Sequence, residues 1–154
     1  EWFESTLATY LDLTREAAAA GAEIVVWPES AVPAALEIDG DARDLLSQLA
    51  RDSHVSLVVG AVGIEAAGAG QPPRVYDSAF VVAPDGGVGR RYDKTHLVPF
   101  GEYIPFQDLL GHLLSAVARG IATIGVTAGA EPRAVPVPLP GPGGRSVTAG
   151  VGSA

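Results

Sequence analysis

Cysteine is absent from these 154 residues, and so is methionine, while lysine occurs once among ten basic residues. Without cysteine there is no disulfide, no thiolate metal site and no thiol nucleophile within the chain, and no information about its redox compartment. Without methionine, a first residue Glu1 and a last triplet Gly152-Ser153-Ala154 directly after an apolar run, neither terminus reads as a natural polar chain end, and both are expected to be cuts. No apolar stretch reaches the roughly 18–20 residues of a membrane span, and no basic-then-apolar leader opens the sequence. Basic residues are also too few and too scattered, against a net charge of -8, for nucleic acid to be an expected partner. The three histidines have no metal-ligand spacing, and there is no phosphate loop, nucleophile elbow or dinucleotide fingerprint, so neither metal nor cofactor is expected.

What is present is an alternation of helices and strands in a chain long enough to bury roughly 68–70% of its unfolded surface. Leu7 to Ala20 suits a helix stopped by Gly21, and Glu23 to Trp27 a buried strand ended by Pro28, which leaves Glu29 and Ser30 in the loop at its carboxyl end. The plan repeats with a helix from Asp41 to Arg51, carrying Leu45, Leu46 and Leu49 on one face, and a strand from His54 to Val62. Gly63 to Arg74 reads as a loop. Val75 to Ala83 and Val88 to Tyr92 form a hairpin about the turn Pro84 to Gly87. Leu109 to Ile121 has the spacing of an amphipathic helix, whose Asp108, His112 and Arg119 argue for a core-facing element over a span or a membrane-surface helix. Ala134 to Leu139, held to a sheet edge by Pro136 and Pro138, and Ser146 to Val151 complete the strands. There is no internal repeat and no linker dividing the chain.

The scarcity of lysine is the most informative compositional feature. A chain that uses arginine nine times has kept one compact ammonium, Lys94, between Tyr92 and the proline-rich segment His96 to Tyr103. Either Lys94 is an ordinary surface lysine, or it is a point charge in a small pocket that steadies an oxyanion or a neighbouring carboxylate. Glu29, alone after an apolar strand, is either a solvated loop carboxylate or a general base whose pKa burial against aromatic surface would raise. Glu102, eight residues beyond Lys94, makes a Glu/Lys/Glu cluster conceivable, although spacing alone does not bring the three together.

Two segments carry a resemblance. Trp27-Pro28-Glu29-Ser30-Ala31-Val32-Pro33 and the longer block from Tyr92 to Pro105, Tyr-Asp-Lys-Thr-His-Leu-Val-Pro-Phe-Gly-Glu-Tyr-Ile-Pro, are similar to signature blocks of the apolipoprotein N-acyltransferase branch of the nitrilase superfamily. The Tyr-x-Lys-x-His-Leu part is shared with nitrilases generally, and the continuation from Val98 to Tyr103 is typical of the acyltransferase branch. The resemblance extends over essentially the whole chain. It implies an α/β fold, the nitrilase-type four-layer α-β-β-α sandwich, incomplete here, with residues 1–154 the N-terminal part of a single domain.

The resemblance further implies a Glu-Lys-Cys triad in which Glu29 is the base, Lys94 the oxyanion-stabilising cation and Glu102 a supporting carboxylate. The partners it implies are a phospholipid acyl donor, a diacylglyceryl apolipoprotein acceptor, and a bacterial inner membrane reached through segments outside these residues, with this domain on its extracytoplasmic face. The family's nucleophile lies in a block resembling Gly-Val-x-Ile-Cys-Tyr-Glu. Here the residues are Gly150-Val151-Gly152-Ser153-Ala154, so either the chain is cut at its nucleophile or the site is altered, and the missing start and incomplete sheet favour the first. In either case this polypeptide is expected to be inactive on its own. The alternatives are a soluble nitrilase-type amidase and a non-catalytic binding domain that has lost its nucleophile.

Overall fold

The computed structural model describes residues 2–68, 70–97, 126–132 and 134–150. Helix α1 (Trp2–Ala19) turns Leu7, Tyr10, Leu11 and Ala18 to the core, the i, i+3, i+4 recurrence of a single helical face. It ends where Gly21 takes φ 95°, so that the Ala22 and Gly21 amides bond back to the Ala17 and Ala18 carbonyls at 3.0 and 2.9 Å. Strand β1 (Ile24–Val26) follows, then β2 (Val32–Ala35). Helix α2 (Gly40–Ser53) is capped by the Asp39 carboxylate, which accepts from the Ala42 amide at 3.0 Å. Strands β3 (Ser56–Glu65), β4 (Arg74–Val82) and β5 (Val88–Asp93) form a meander, and β6 (Ala134–Pro138) with β7 (Ser146–Gly150) form a separate hairpin.

The main sheet runs β1-β3-β4-β5, and β2 also pairs with β3. β1 lies parallel to the first half of β3, with Ile24 opposite Ser56 and Val26 opposite Val58. β2 lies parallel to the second half of β3, with Val32 opposite Ala61. The two short strands thus share one edge of β3, and the chain leaves that edge only between Trp27 and Ala31. β3–β4 and β4–β5 are antiparallel.

Burial divides the sheet into two faces. Leu57, Val59, Ala61, Phe80 and Val82 pack under the two helices with Leu46, Leu49 and Ala50 of α2. Val58, Val81 and Tyr92, pointing the opposite way because side chains alternate along a strand, pack against Val135 and Val137 of the hairpin. Ser56 Oγ donates to the Pro138 carbonyl, tying the hairpin to β3. Helix, sheet and sheet therefore follow one another as the α-β-β layers of the expected sandwich. Among the described residues no helix is long and apolar enough to cross a membrane.

Several boundaries differ from the sequence reading. His54 is the left-handed C-cap of α2, with φ 52°, rather than the first residue of β3. β3 continues through Gly63 to Glu65, which pairs with Arg74, so the expected loop from Gly63 to Arg74 contributes both its ends to the ladder. Leu45 is 38% exposed, and α2 buries Leu46, Leu49 and Ala50 instead. β2 was not anticipated: its Pro33 suits an edge strand, where a missing amide costs little. The helix expected over Leu109 to Ile121 lies outside the described residues.

Candidate active site

The register of three strands assembles the site. Gly60 of β3 stands opposite Ala79 of β4, and Ala79 opposite Tyr92 of β5, so these three form one row across the face that looks away from the helices. One row further on, Val62 stands opposite Asp77, and the Lys94 amide donates to the Asp77 carbonyl at 2.9 Å, extending the ladder just past the end of β5. Lys94 and Asp77 are consequently side-by-side neighbours on the same face. The Lys94 carbonyl is held as well, accepting from the Gly129 amide at 2.8 Å.

Glu29 arrives from the other side of the sheet, in the gap between β1 and β2. Ser30 adopts φ 53°, a conformation that costs a non-glycine residue energy and makes the sharp turn out of and back into the β3 edge. That turn crosses directly over Gly60: a Cβ at position 60 would strike the Pro28 carbonyl and stand 2.8 Å from both the Glu29 Cα and the Ser30 nitrogen. Glycine is the residue that admits this approach. The entry to the turn is anchored by Trp27, 4% exposed, whose indole Nε1 donates to Thr14 Oγ1 at 2.9 Å and whose ring lies 5.1 Å from that of Tyr10. Thr14 in turn donates to the Tyr10 carbonyl at 2.7 Å. Helix α1 thereby fixes the residue two places before Glu29.

The outcome is a small charged cluster. Lys94 Nζ lies 3.1 Å from Glu29 Oε1 and 3.8 Å from Asp77 Oδ2. The Lys94 side chain is 11% exposed and that of Asp77 15%, whereas Glu29 is 59% exposed and so open to a reactant. The carboxyl of Glu29 is held below its ordinary 4.5, by hydrogen bonding with Asp77 first and with Lys94 second, against a smaller opposing effect of burial. The sequence reading expected burial to raise this pKa. The correction follows from the two charged partners: Glu29 is too exposed for desolvation to prevail over a hydrogen bond and an ammonium at contact distance.

Beside the cluster is a cavity of about 510 Å³, whose walls include Val26, Val58, Ala79, Tyr92, Val137 and Ala149, with Glu29, Asp77 and Lys94 supplying its charged groups. Apolar walls with a few convergent polar groups are the usual make-up of a small-molecule site. Chemically, the cluster presents a carboxylate that can take a proton, next to a fixed, desolvated ammonium that can face a developing negative charge. Among the described residues no group of three His, Asp or Glu side chains could hold a metal ion.

Of the three residues singled out by sequence, Glu29 and Lys94 meet in space. Glu102 lies outside the described residues, as do Val151 to Ala154. Asp77 escaped the sequence reading. The available signal was weak: it is the one charged residue on the strand face that also carries Val75, Ala79 and Val81, and only the register of β4 against β5 reveals its neighbour.

An α/β layered fold bearing a Glu–Lys pair on its open sheet face has counterparts of known class. Residues 2–141 match the carbon-nitrogen hydrolase family, and the chain belongs to it. Among curated proteins it is 43% identical over 147 residues to the apolipoprotein N-acyltransferase of Rhizobium meliloti (strain 1021), covering 93% of this chain and 27% of that protein. It thus spans about a quarter of the length of that relative. Among solved structures, the amidase from Nesterenkonia sp. superposes with a TM-score of 0.53 at 22% identity, over 95% of this chain and 48% of the amidase. The C. elegans NitFhit protein superposes with a TM-score of 0.61 at 20% identity, over 90% of this chain and 32% of that one. The fold is therefore of the nitrilase type, and the sequence relationship is to the acyltransferases, as the two signature blocks implied.

Proposed function

We propose that residues 1–154 are the N-terminal part of one carbon-nitrogen hydrolase domain, and that the protein carrying it transfers a fatty acyl group from a phospholipid to the N-terminal diacylglyceryl-cysteine of lipoproteins. The observation that carries this reading is the 3.1 Å contact of Lys94 Nζ with Glu29 Oε1, in a chain 43% identical to an apolipoprotein N-acyltransferase.

Glu29 is the general base. It takes the proton from a cysteine thiol supplied by residues that follow those described, and the sulfur attacks the phospholipid ester carbonyl. The Lys94 ammonium faces the oxyanion of the tetrahedral adduct. Collapse of the adduct breaks the ester C–O bond, and Glu29 returns its proton to the departing lysophospholipid oxygen, leaving a thioester. The acceptor's α-amine then attacks the thioester carbonyl and gives its proton to Glu29. Collapse of the second adduct forms the amide and frees the thiolate, which recovers the proton. Glu102 supports the Glu29–Lys94 pair as a further carboxylate. Neither a metal nor an organic cofactor enters any step. The phospholipid substrate and the lipidated acceptor put the site at a bacterial inner membrane, on its extracytoplasmic face.

A soluble amidase would use the same base and cation. The acyltransferase reading is preferred because the relatives at 43% identity bear that name, whereas the likeness to the Nesterenkonia amidase, at 22% identity, is one of fold. The test is to reconstitute the full-length protein in phospholipid vesicles with a diacylglyceryl-cysteine peptide and to follow the peptide's mass. A gain of one fatty acyl group is expected. Hydrolysis of short aliphatic amides with no acylation of the peptide would refute the assignment.

A further inference from the structure

Glu29 and Lys94 are joined by a third ionisable group with no place in the two-residue description above. Asp77 projects from the middle of β4, not from a loop, and its backbone carbonyl is already fixed by the Lys94 amide at 2.9 Å. Its side chain is 15% exposed, less than a third as open as that of Glu29, and its Oδ2 lies 3.8 Å from Lys94 Nζ. On the opposite face of the sheet, the neighbouring Ser78, Arg91 and Asp93 bond to one another: Ser78 Oγ donates to Asp93 Oδ1 at 2.6 Å and Arg91 Nε to the same oxygen at 2.7 Å. That pairing ties β4 to β5 at Ser78, the residue next to Asp77. Of the three members of the site, Asp77 thus projects from a strand paired on both edges, while Glu29 sits on a turn and Lys94 just past the end of β5.

From this geometry we infer that Asp77 is a positioning residue for the acyl-transfer site, which hydrogen-bonds the Glu29 carboxylate and holds the Lys94 ammonium between two carboxyl groups. Hydrogen bonding with Asp77 first and with Lys94 second favours the ionised form of Glu29. The titratable and charged groups that face it are Glu29 from the β1–β2 turn, Lys94 from the end of β5, and the Tyr92 phenol one row away. The role rests on the assignment of Glu29 as base and Lys94 as oxyanion partner. It also assigns a reason for the charged residue in an otherwise apolar strand face: a base on a turn and an ammonium at the end of a long side chain keep a fixed distance when a second carboxylate on a paired strand holds the ammonium in place.

The test uses the full-length protein in phospholipid vesicles and compares Asp77→Asn and Asp77→Ala. The asparagine amide can still donate to Glu29 and its oxygen can still accept from Lys94; alanine can do neither. For Asp77→Ala, kcat is expected to fall roughly ten- to a hundredfold, the worth of one hydrogen bond to a charged group, with KM for the acceptor peptide changed less than about twofold. The acid limb of its kcat/KM profile should move to higher pH, because Glu29 loses its principal hydrogen-bond partner. Asp77→Asn should restore kcat to within about threefold of the parent. Should Asp77→Ala not accumulate, Asp77→Val, a better strand former without hydrogen-bonding capacity, replaces it with the same expectations. An alanine or valine variant with parental kcat and pH profile would overturn the inference, and so would an asparagine variant as slow as the alanine one. If the parent protein itself transfers no acyl group, the proposed function fails; if the parent is active and Asp77→Ala matches it, only the role of Asp77 fails.

Discussion

Gly60→Ala probes how Glu29 is held in place. The added methyl carbon would stand 2.8 Å from the Glu29 Cα and the Ser30 nitrogen and would meet the Pro28 carbonyl still closer. These are backbone atoms, so no side-chain rotation relieves the clash, and the turn must lift by about 1 Å to bring the Pro28 carbonyl back to ordinary contact. The lift is resisted on one side by Trp27, buried and bonded to Thr14, and on the other by Ala31 and Val32, which are 8% and 3% exposed. Overpacking of this kind costs about 1–3 kcal/mol. Its effect on chemistry should be larger than on stability, since a displacement of about 1 Å at a reacting group can cost on the order of 10²-fold in rate. The assay measures urea midpoints and acyl transfer by the full-length protein, with Gly68→Ala as the control, because a Cβ at Gly68 meets nothing within 4 Å. Full activity and unchanged stability in Gly60→Ala, matching Gly68→Ala, would refute the claim that the close passage over Gly60 sets the position of Glu29.

Three other outcomes are expected. Lys94→Arg should lower kcat by roughly 10²–10³, the usual cost of losing an oxyanion partner, because a planar guanidinium does not fit the 11%-exposed space between Glu29 and Asp77; parental kcat in this variant removes Lys94 from the mechanism. Since the Glu29 pKa is depressed, its carboxylate persists as pH drops past 4.5, and the stability contributed by its pairing is complete above the unfolded value and lost only as pH falls through the lower folded one. The acid limb of kcat/KM assigned to Glu29 should therefore lie below pH 4.5, and a limb centred above it contradicts the observed pairing. Thr14→Val leaves the buried Trp27 indole N–H without its acceptor and should destabilise by about 1–3 kcal/mol in urea titrations; a loss below about 0.5 kcal/mol would show that the Thr14–Trp27 bond does not anchor the turn.

Much of the fold could be read from local chemistry. Gly21 stops α1, the Pro84 to Gly87 turn closes the β4–β5 hairpin, and Pro28 breaks the β1 edge at the residue before Glu29. Lys94 stood out because one ammonium among ten basic residues has to be explained. What stayed hidden depends on contacts distant in sequence. Val32 to Ala35 contains a proline and is four residues long, so only its parallel pairing with β3 defines it as a strand. Gly63 reads as a loop residue until its partner Tyr76 is known. Asp77 acquires meaning from Lys94, 17 positions away, through the β4–β5 register and not through any motif, and the direction of the Glu29 pKa depends on both. Local patterns indicated where strands end and where Glu29 and Lys94 could sit, but not how the loops cross or which charges meet.

The central claim is that the Glu29–Lys94 pair activates a thiol for attack on a phospholipid ester, and it is tested most directly by trapping the acyl-enzyme. Full-length protein incubated with a phospholipid carrying a labelled fatty acyl chain, without acceptor, should become labelled through a bond cleaved by neutral hydroxylamine, and Glu29→Gln should reduce the rate of labelling by roughly 10²–10⁴, the contribution of a general base. Labelling of the Glu29→Gln protein at the parental rate, or no hydroxylamine-sensitive label on the parent, would contradict it.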